Sequence, residues 1–339
     1  MRFRHVAIEA VSYELPTKMV TSNELENRLN DTTARLKLPQ RPIEPLTGIS
    51  ERRFWDPGTL VSDVAAKVAR KAMAAAGIEP DKVGILINTS VSKDYIEPSM
   101  ASLVHGDLGL RADCLNFDIA NACLGFMNGI EVAGRMIEEG IVDYALLVDG
   151  ESAGEIVDST IKRMAGLDLT AKDFWDNFAT LTLGSVAVAM VLTNARLSKT
   201  THRLNGSVTL ADTSQNRLCL GTNDFMVTQS TRLLKAGVEL ALKTWNKAAG
   251  QLPGWASEKI EHFICHQVGK PHVMAICEAL GIADEKCFLT FPHHGNVGPA
   301  AVPLTLALAD ESGRMRKGDH VALMGIGSGL NVTMMSVTW

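Results

Sequence analysis

Segments of two hydrophobic periods alternate along the chain, the pattern of an α/β protein with a largely buried sheet. Ser62 to Ala76 reads as a helix, with Ser62 as N-cap, Val64, Val68, Ala72 and Ala75 at helical intervals, and a stop at Gly77. Val83 to Ile87 is a short apolar run bounded by Asp81-Lys82 and Asn88, so it reads as a buried strand. Leu115 to Ala120 alternates apolar and polar, again strand-like. From Cys123 onward, Phe126, Met127, Ile130, Ala133 and Ile137 share one helical face, and Tyr144 to Val148 returns as a strand.

The same order of elements recurs. The segment Asp81 to Asn88 can be laid on Glu258 to Cys265, with Lys82 and Lys259 177 residues apart. Gly134-Arg135-Met136, followed by a turn and Ala145 to Val148, matches Gly313-Arg314-Met315 followed by Val321 to Met324, with the glycines 179 residues apart. The helix Ser62 to Ala76 has its counterpart in Ser230 to Ala249. Either match alone is cheap; two at nearly one offset, in the same order, point to an ancient duplication. The halves are placed at about residues 1–195 and 196–339. Between the matched elements of the first half lies an excess, about residues 152–183, containing Thr170 to Ala179 with Phe174, Trp175 and Phe178 spaced for one apolar face. It caps the core, either as extra packing or as a lid or channel wall.

Composition narrows the classes. With 339 residues, 46% hydrophobic, the chain is globular, and disorder, collagen-like repeats and a disulfide scaffold are excluded. A net charge of −5, from 33 basic and 38 acidic residues, supplies no basic field for nucleic acid. Six cysteines without CxxC spacing argue against a zinc site or a redox pair, so no metal is expected. Charges near Met1 interrupt any signal-like run. The most apolar runs, Val186 to Leu192 and Ala300 to Ala309, fall well short of the ~20 residues needed to cross a bilayer. A soluble, cytoplasmic protein is expected.

Cys123 follows a predicted strand and stands at the first turn of a predicted helix, in Asn121-Ala122-Cys123-Leu124-Gly125. A helix N-terminus stabilises thiolate and lowers a cysteine's pKa, which would suit a nucleophile; an inert packing role is the competing reading. The other five cysteines lack this setting and read as packing. His266 lies at the C-terminal end of the strand Phe263 to Cys265, where α/β proteins place ligands. Asn296 stands in a glycine-punctuated loop, His294 to Ala300, leading into a helix from Ala301 to Asp310; it would serve either as a cap or as a donor to an oxyanion. Gly325-Ile326-Gly327-Ser328-Gly329 lies too near the end of the sequence for a dinucleotide-binding unit and fits a turn that brings backbone N–H groups to a reacting centre.

Together, Cys123, His266 and Asn296 in these motifs, with the Gly325 to Asn331 tail, resemble the thiolase superfamily in its ketoacyl-acyl carrier protein synthase III branch. The resemblance covers the whole chain. It implies two βαβαβαββ halves stacked as an α-β-α-β-α sandwich of five layers. The stretch from Asn88 to Ser99, including Glu97, is most similar to OleA-type enzymes, which join two fatty acyl-CoA molecules head to head in hydrocarbon biosynthesis.

That resemblance implies an acyltransferase of fatty acyl-CoA, a homodimer with downstream pathway enzymes as partners, and no cofactor. Cys123 would accept the first acyl group, with the backbone N–H groups of Cys123 and Ser328 as oxyanion hole. Glu97, reaching into the neighbouring subunit's site, would remove the α-proton of the second acyl-CoA, while His266 and Asn296 donate to the enolate oxygen. An unactivated acyl-CoA needs such a carboxylate, whereas a malonyl donor makes its carbanion by losing CO₂. Three alternatives are weighed: a decarboxylating 3-oxoacyl-ACP synthase III using malonyl-ACP, a hydroxymethylglutaryl-CoA synthase-like enzyme, and a non-catalytic thiolase-fold partner subunit. Arg52, Arg53 and Lys93 are candidates for the CoA phosphates.

Overall fold

The computed structural model describes residues 1–222 and 224–339. Its strands, in chain order, are β1 (Val6–Glu14), β2 (Lys18–Thr21), β3 (Glu51–Phe54), β4 (Ile85–Asn88), β5 (Leu115–Asp118), β6 (Tyr144–Glu151), β7 (Val186–Asn194), β8 (Arg203–Ala211), β9 (Cys219–Gly221), β10 (Met226–Thr228), β11 (His262–Cys265), β12 (His320–Gly327) and β13 (Asn331–Thr338). Nine of them form one sheet in the order β11-β12-β13-β8-β1-β7-β6-β4-β5. β4 runs parallel to β5 and β6, while β6, β7 and β1 are antiparallel; β11 runs parallel to β12, while β12, β13 and β8 are antiparallel. The two arms therefore read alike from the centre outward. They meet where β1 and the residues before it lie beside β8, with Ala7 paired to Arg203 and an Arg2–Gly206 bridge. A parallel bridge from Phe263 to Cys287 stands where β5 stands in the other arm.

Alternation along the strands builds the layers, because successive side chains point to opposite faces. Leu86, Leu146 and Val148 meet Val68 and Val104 of the helices Val61–Ala76 and Met100–Leu108 on one outer face. Ile85, Ile87 and Leu147 point the other way, against Phe126 and Ile130 of the helix Gly125–Glu138. That helix and Ala301–Glu311 form the middle layer, and Leu304 and Leu306 share its core with Ile264, Val321 and Leu323 of the second arm. The helices Ser230–Ala249 and Lys270–Leu280 cover the remaining face through Leu240, Ala241 and Ile276. The result is helix, sheet, helix, sheet, helix, as expected of a thiolase fold. No described helix is long and apolar enough to cross a membrane.

Local details depart from the sequence reading. The first long helix begins at Val61, so Ser62 is inside it and does not cap it. Its free N–H groups are taken by the carboxylate of Asp94, which accepts from Val61 at 2.7 Å and Ser62 at 2.8 Å. The helix Gly125–Glu138 starts two residues after Cys123, and β12 continues through Gly327, so Gly325 and Gly327 are strand residues. The excess segment folds as the helices Gly154–Met164 and Ala171–Phe178, the second closed by a Thr170–Asp173 capping box. Its Val157, Phe174 and Phe178 bury against Val20, Leu25 and Ile43. Its trailing end also carries part of the site.

Candidate active site

The turn Asn121–Leu124 connects β5 to the central helix and is held unusually tightly. Ala122 has φ +46, a left-handed conformation that a residue with a Cβ adopts rarely and mostly where its surroundings enforce it. Leu124 N donates to Asn121 O at 3.0 Å and Gly125 N to Ala122 O at 3.1 Å. Asn121 is pinned from two sides: its Nδ2 donates to Asn128 Oδ1 (2.7 Å), and its Oδ1 accepts from Asn331 Nδ2 (3.2 Å). The β12 strand presses onto the same turn. A Cβ on Gly327 would lie 3.0 Å from Asn121 O and 3.1 Å from Leu124 N, so glycine allows this close approach without displacing the turn. Ser328 follows, half-buried, at the turn into β13.

Cys123 projects from this turn. Burial, with Cys219 and Glu151 nearby, pushes its thiol up to about 12. The thiol is therefore protonated at neutral pH, against the expectation of a lowered pKa at a helix N-terminus; with the helix starting at Gly125, desolvation outweighs the dipole. Cys219, read as packing from sequence, belongs to the surroundings of Cys123. Cys265, Cys277 and Cys287 are buried in the outer core of the second arm, where Cys277 and Cys287 thiols lie 3.4 Å apart.

His266 directly follows β11, and its N–H donates to Met324 O of the neighbouring β12 at 2.7 Å. The imidazole is buried, with Nδ1 unpartnered among the described residues. Burial and the neighbouring His272 push it down to about 3, while the Gly298 backbone works the other way. It is thus neutral across the physiological range and suited to hydrogen bonding, not to supplying positive charge.

Asn296 is anchored by backbone to the end of the capping segment: its N donates to Thr182 O (2.8 Å) and its O accepts from Gly184 N (2.9 Å). Gly295 makes this possible, since a Cβ there would sit 2.5 Å from Thr182 O and its φ is +68. Asn296 Oδ1 accepts from Gly298 N at 3.1 Å, which fixes the amide so that Nδ2 is the free end. Gly298 joins the parts. Its backbone lies against the His266 ring, and a Cβ on it would be 3.7 Å from the Glu151 carboxyl carbon, the same carboxyl that acts on Cys123. Through Gly298 and Glu151, residues of both arms link His266 and Asn296 to the surroundings of Cys123.

Glu97 is not part of that cluster within one chain. It is exposed, next to Ile96, which is 95% exposed, in the segment between β4 and the helix Met100–Leu108. Of the basic residues proposed for CoA, Arg52 is fully buried, donating to Ser22 Oγ (3.0 Å) and Leu181 O (3.1 Å), so it is a core residue. Lys93 pairs with Asp118 at 3.0 Å, and Arg53 donates to Pro16 O.

The sequence reading missed Asp149 and Glu151 at the end of β6, both buried. Their signal was two acidic residues spaced by two on a strand whose other residues are apolar. Among the described residues no group of side chains has the makings of a metal site.

The chain is similar to known proteins over its whole length. Residues 117–212 match a family described as 3-oxoacyl-[acyl-carrier-protein] synthase III, and residues 251–339 match the C-terminal part of the same family. An acyl-CoA:acyl-CoA alkyltransferase of Xanthomonas campestris pv. campestris is 45% identical over 339 residues, covering all of both chains. Its counterpart in Shewanella oneidensis is 39% identical over 351 residues, again covering all of both chains. A crystal structure of a cysteine-to-serine variant of Xanthomonas campestris OleA with bound lauric acid and lauroyl-CoA superimposes with a TM-score of 0.97 at 45% identity, over 99% of this chain and 100% of that one.

Proposed function

Because the chain belongs to the acyl-CoA:acyl-CoA alkyltransferase family of thiolase-fold condensing enzymes, we propose that it joins two fatty acyl-CoA molecules head to head by a Claisen condensation centred on Cys123. The observation that supports this reading is that Gly298 touches His266 and Asn296 and lies beside the Glu151 carboxyl, which in turn neighbours Cys123 on its strained turn.

The Cys123 thiol attacks the first thioester. A C–S bond forms to the acyl carbon, CoA leaves as its thiol with the cysteine proton, and the tetrahedral oxyanion rests on the N–H groups of Cys123 and Ser328. Each such donor is worth about 3–4 kcal/mol. The protonated resting thiol suits a site that ionises only as substrate closes it. The carbonyl of the second acyl-CoA then accepts from neutral His266 and from Asn296 Nδ2, and Glu97 removes its α-proton. The resulting enolate attacks the acyl-Cys123 carbonyl, the new C–C bond forms, and the cysteine thiolate leaves. Hydrolysis of the β-ketoacyl-CoA gives a β-keto acid and CoA. These steps use no cofactor.

Glu97 requires a second subunit, because it is solvent-exposed in its own. β5 is an edge strand with Leu115 51% and Phe117 37% exposed, and it lies beside the Glu97 segment. An exposed apolar edge of this kind favours pairing with another copy. Such a homodimer would carry each Glu97 toward the partner's Cys123. Glu97→Ala should leave Cys123 acylation intact and abolish condensation, as read by intact-protein mass and product analysis. Undiminished condensation would remove Glu97 from the mechanism.

A further inference from the structure

Asp149 and Glu151 lie two apart on β6, so both side chains project from one face of the sheet, and both are buried. Glu151 accepts three hydrogen bonds from the start of the Glu97 segment: from Val91 N at 2.6 Å, Ser92 N at 3.2 Å and Ser92 Oγ at 2.7 Å. Asp149 Oδ2 accepts from Thr89 Oγ1 at 2.6 Å, and the Thr89 carbonyl abuts Gly125, where a Cβ would come within 2.8 Å. The pair thus stands between the nucleophile turn and the loop that carries Glu97. Asp149 Oδ1 is buried with no donor, and neither carboxyl has a salt-bridging cation among the described residues. Two acceptors facing each other in a dry site are satisfied only by a proton between them.

We propose that Asp149 and Glu151 share one proton and act as a positioning pair that fixes the Glu97 loop relative to the Cys123 turn. The inference rests on the reading of Glu97 as the base of the condensation step, which the loop serves in the partner's site.

Asp149 is the proton's holder. Burial and then the charge of Glu151 raise it well above the carboxylate range, and its O–H donates to Glu151. Burial raises Glu151 to about 7, against the pull of its bonds to Ser92 and Val91. The other titratable group facing Glu151 is the Cys123 thiol; the base loop presents only Ser92 and amides, and the Asn296 loop presents the Gly298 backbone. As an anion Glu151 accepts all three loop bonds. Once protonated, one of its oxygens becomes a donor facing donors, and the loop loosens. Condensation should therefore fall as pH drops through about 7.

The test uses the full chain with Glu151→Gln, Asp149→Asn and Asp149→Ala. In E151Q the amides of Val91 and Ser92 should exchange about tenfold faster or more, since a bond to a charged acceptor is lost. Condensation should fall further than Cys123 acylation. Iodoacetamide should alkylate Cys123 faster at a given pH, because a neighbouring negative charge is gone. In D149N a neutral amide replaces the Asp149 O–H as donor to Glu151, so the acid limb of condensation stays in place, whereas in Asp149→Ala that donor is lost and the limb moves to higher pH. Unchanged exchange at Val91 and Ser92 in E151Q, or an acid limb that stays in place in D149A, overturns the proposal; if E151Q does not fold, the comparison of D149N with D149A decides. Normal condensation by E97A would instead defeat the base reading, while the exchange and alkylation results would still decide whether the pair holds the loop.

Discussion

Replacing Gly125 by alanine tests whether the Cys123 turn depends on close backbone contact. The new Cβ would lie 2.8 Å from Thr89 O and 3.2 Å from Ile119 O, both backbone atoms that cannot rotate away. Restoring an ordinary contact near 3.4 Å requires a displacement of about 0.6 Å at the first residue of the helix that follows Cys123. Overpacking of this kind costs about 1–3 kcal/mol in stability. A shift approaching an ångström at a reacting group costs up to ~100-fold in rate. G125A should therefore slow single-turnover acylation of Cys123 by roughly 10- to 100-fold while the protein remains folded. Gly106 is the control: it lies in the helix Met100–Leu108, exposed, with nothing within 4 Å of an added Cβ. G106A should stabilise by about 0.4–1 kcal/mol and leave acylation unchanged. Acylation by G125A at the parental rate would refute the argument, as would equal effects of the two substitutions.

Two further outcomes follow from burial. His266, His272 and His294 are pushed down to about 3, 4 and 4 by desolvation, so the folded state holds them neutral. Their contribution is fully present above the unfolded-state value of about 6.5 and is lost as pH falls toward 3–4, so urea midpoints measured from pH 7 to 4 should decline steadily; a flat profile would contradict the burial of these rings. Arg52→Met should destabilise by about 2–4 kcal/mol, because buried Ser22 Oγ and Leu181 O lose their donor and Glu26 a neighbouring positive charge. Its KM for acyl-CoA should stay unchanged, and a large KM increase would restore Arg52 as a CoA contact.

What the sequence made legible was what local pattern and chemistry write down. Cys123, His266 and Asn296 each sit where a strand or glycine loop hands over to a helix, and the hydrophobic periods of Phe126 to Ile137 and of Ser230 to Ala249 appear as helices with the expected buried face. Partnerships formed across the chain were not legible. Asp94 caps a helix that begins 33 residues earlier, so Ser62 looks like the cap in sequence. Arg52, with the charge of a surface residue, is enclosed by Ser22 and Leu181, which approach it only in the fold. A low pKa is expected of the Cys123 thiol because the dipole is a local property, whereas Glu151 and Cys219 come from other strands. Asp149 and Glu151 were not legible because the apolar run ends at Val148 and nothing nearby in sequence reveals that β6 stays buried to its last residue.

The central claim is condensation of two acyl-CoA molecules on Cys123 without a decarboxylating donor. Mass spectrometry of products from a single fatty acyl-CoA, with no malonyl donor and with Cys123→Ala in parallel, measures it most directly. The expected product is a β-keto acid, or the ketone formed when it loses CO₂, whose carbons derive from two acyl chains, and no such product from C123A. A product that forms only on addition of malonyl-acyl carrier protein, with release of CO₂ from the malonyl group, would contradict it.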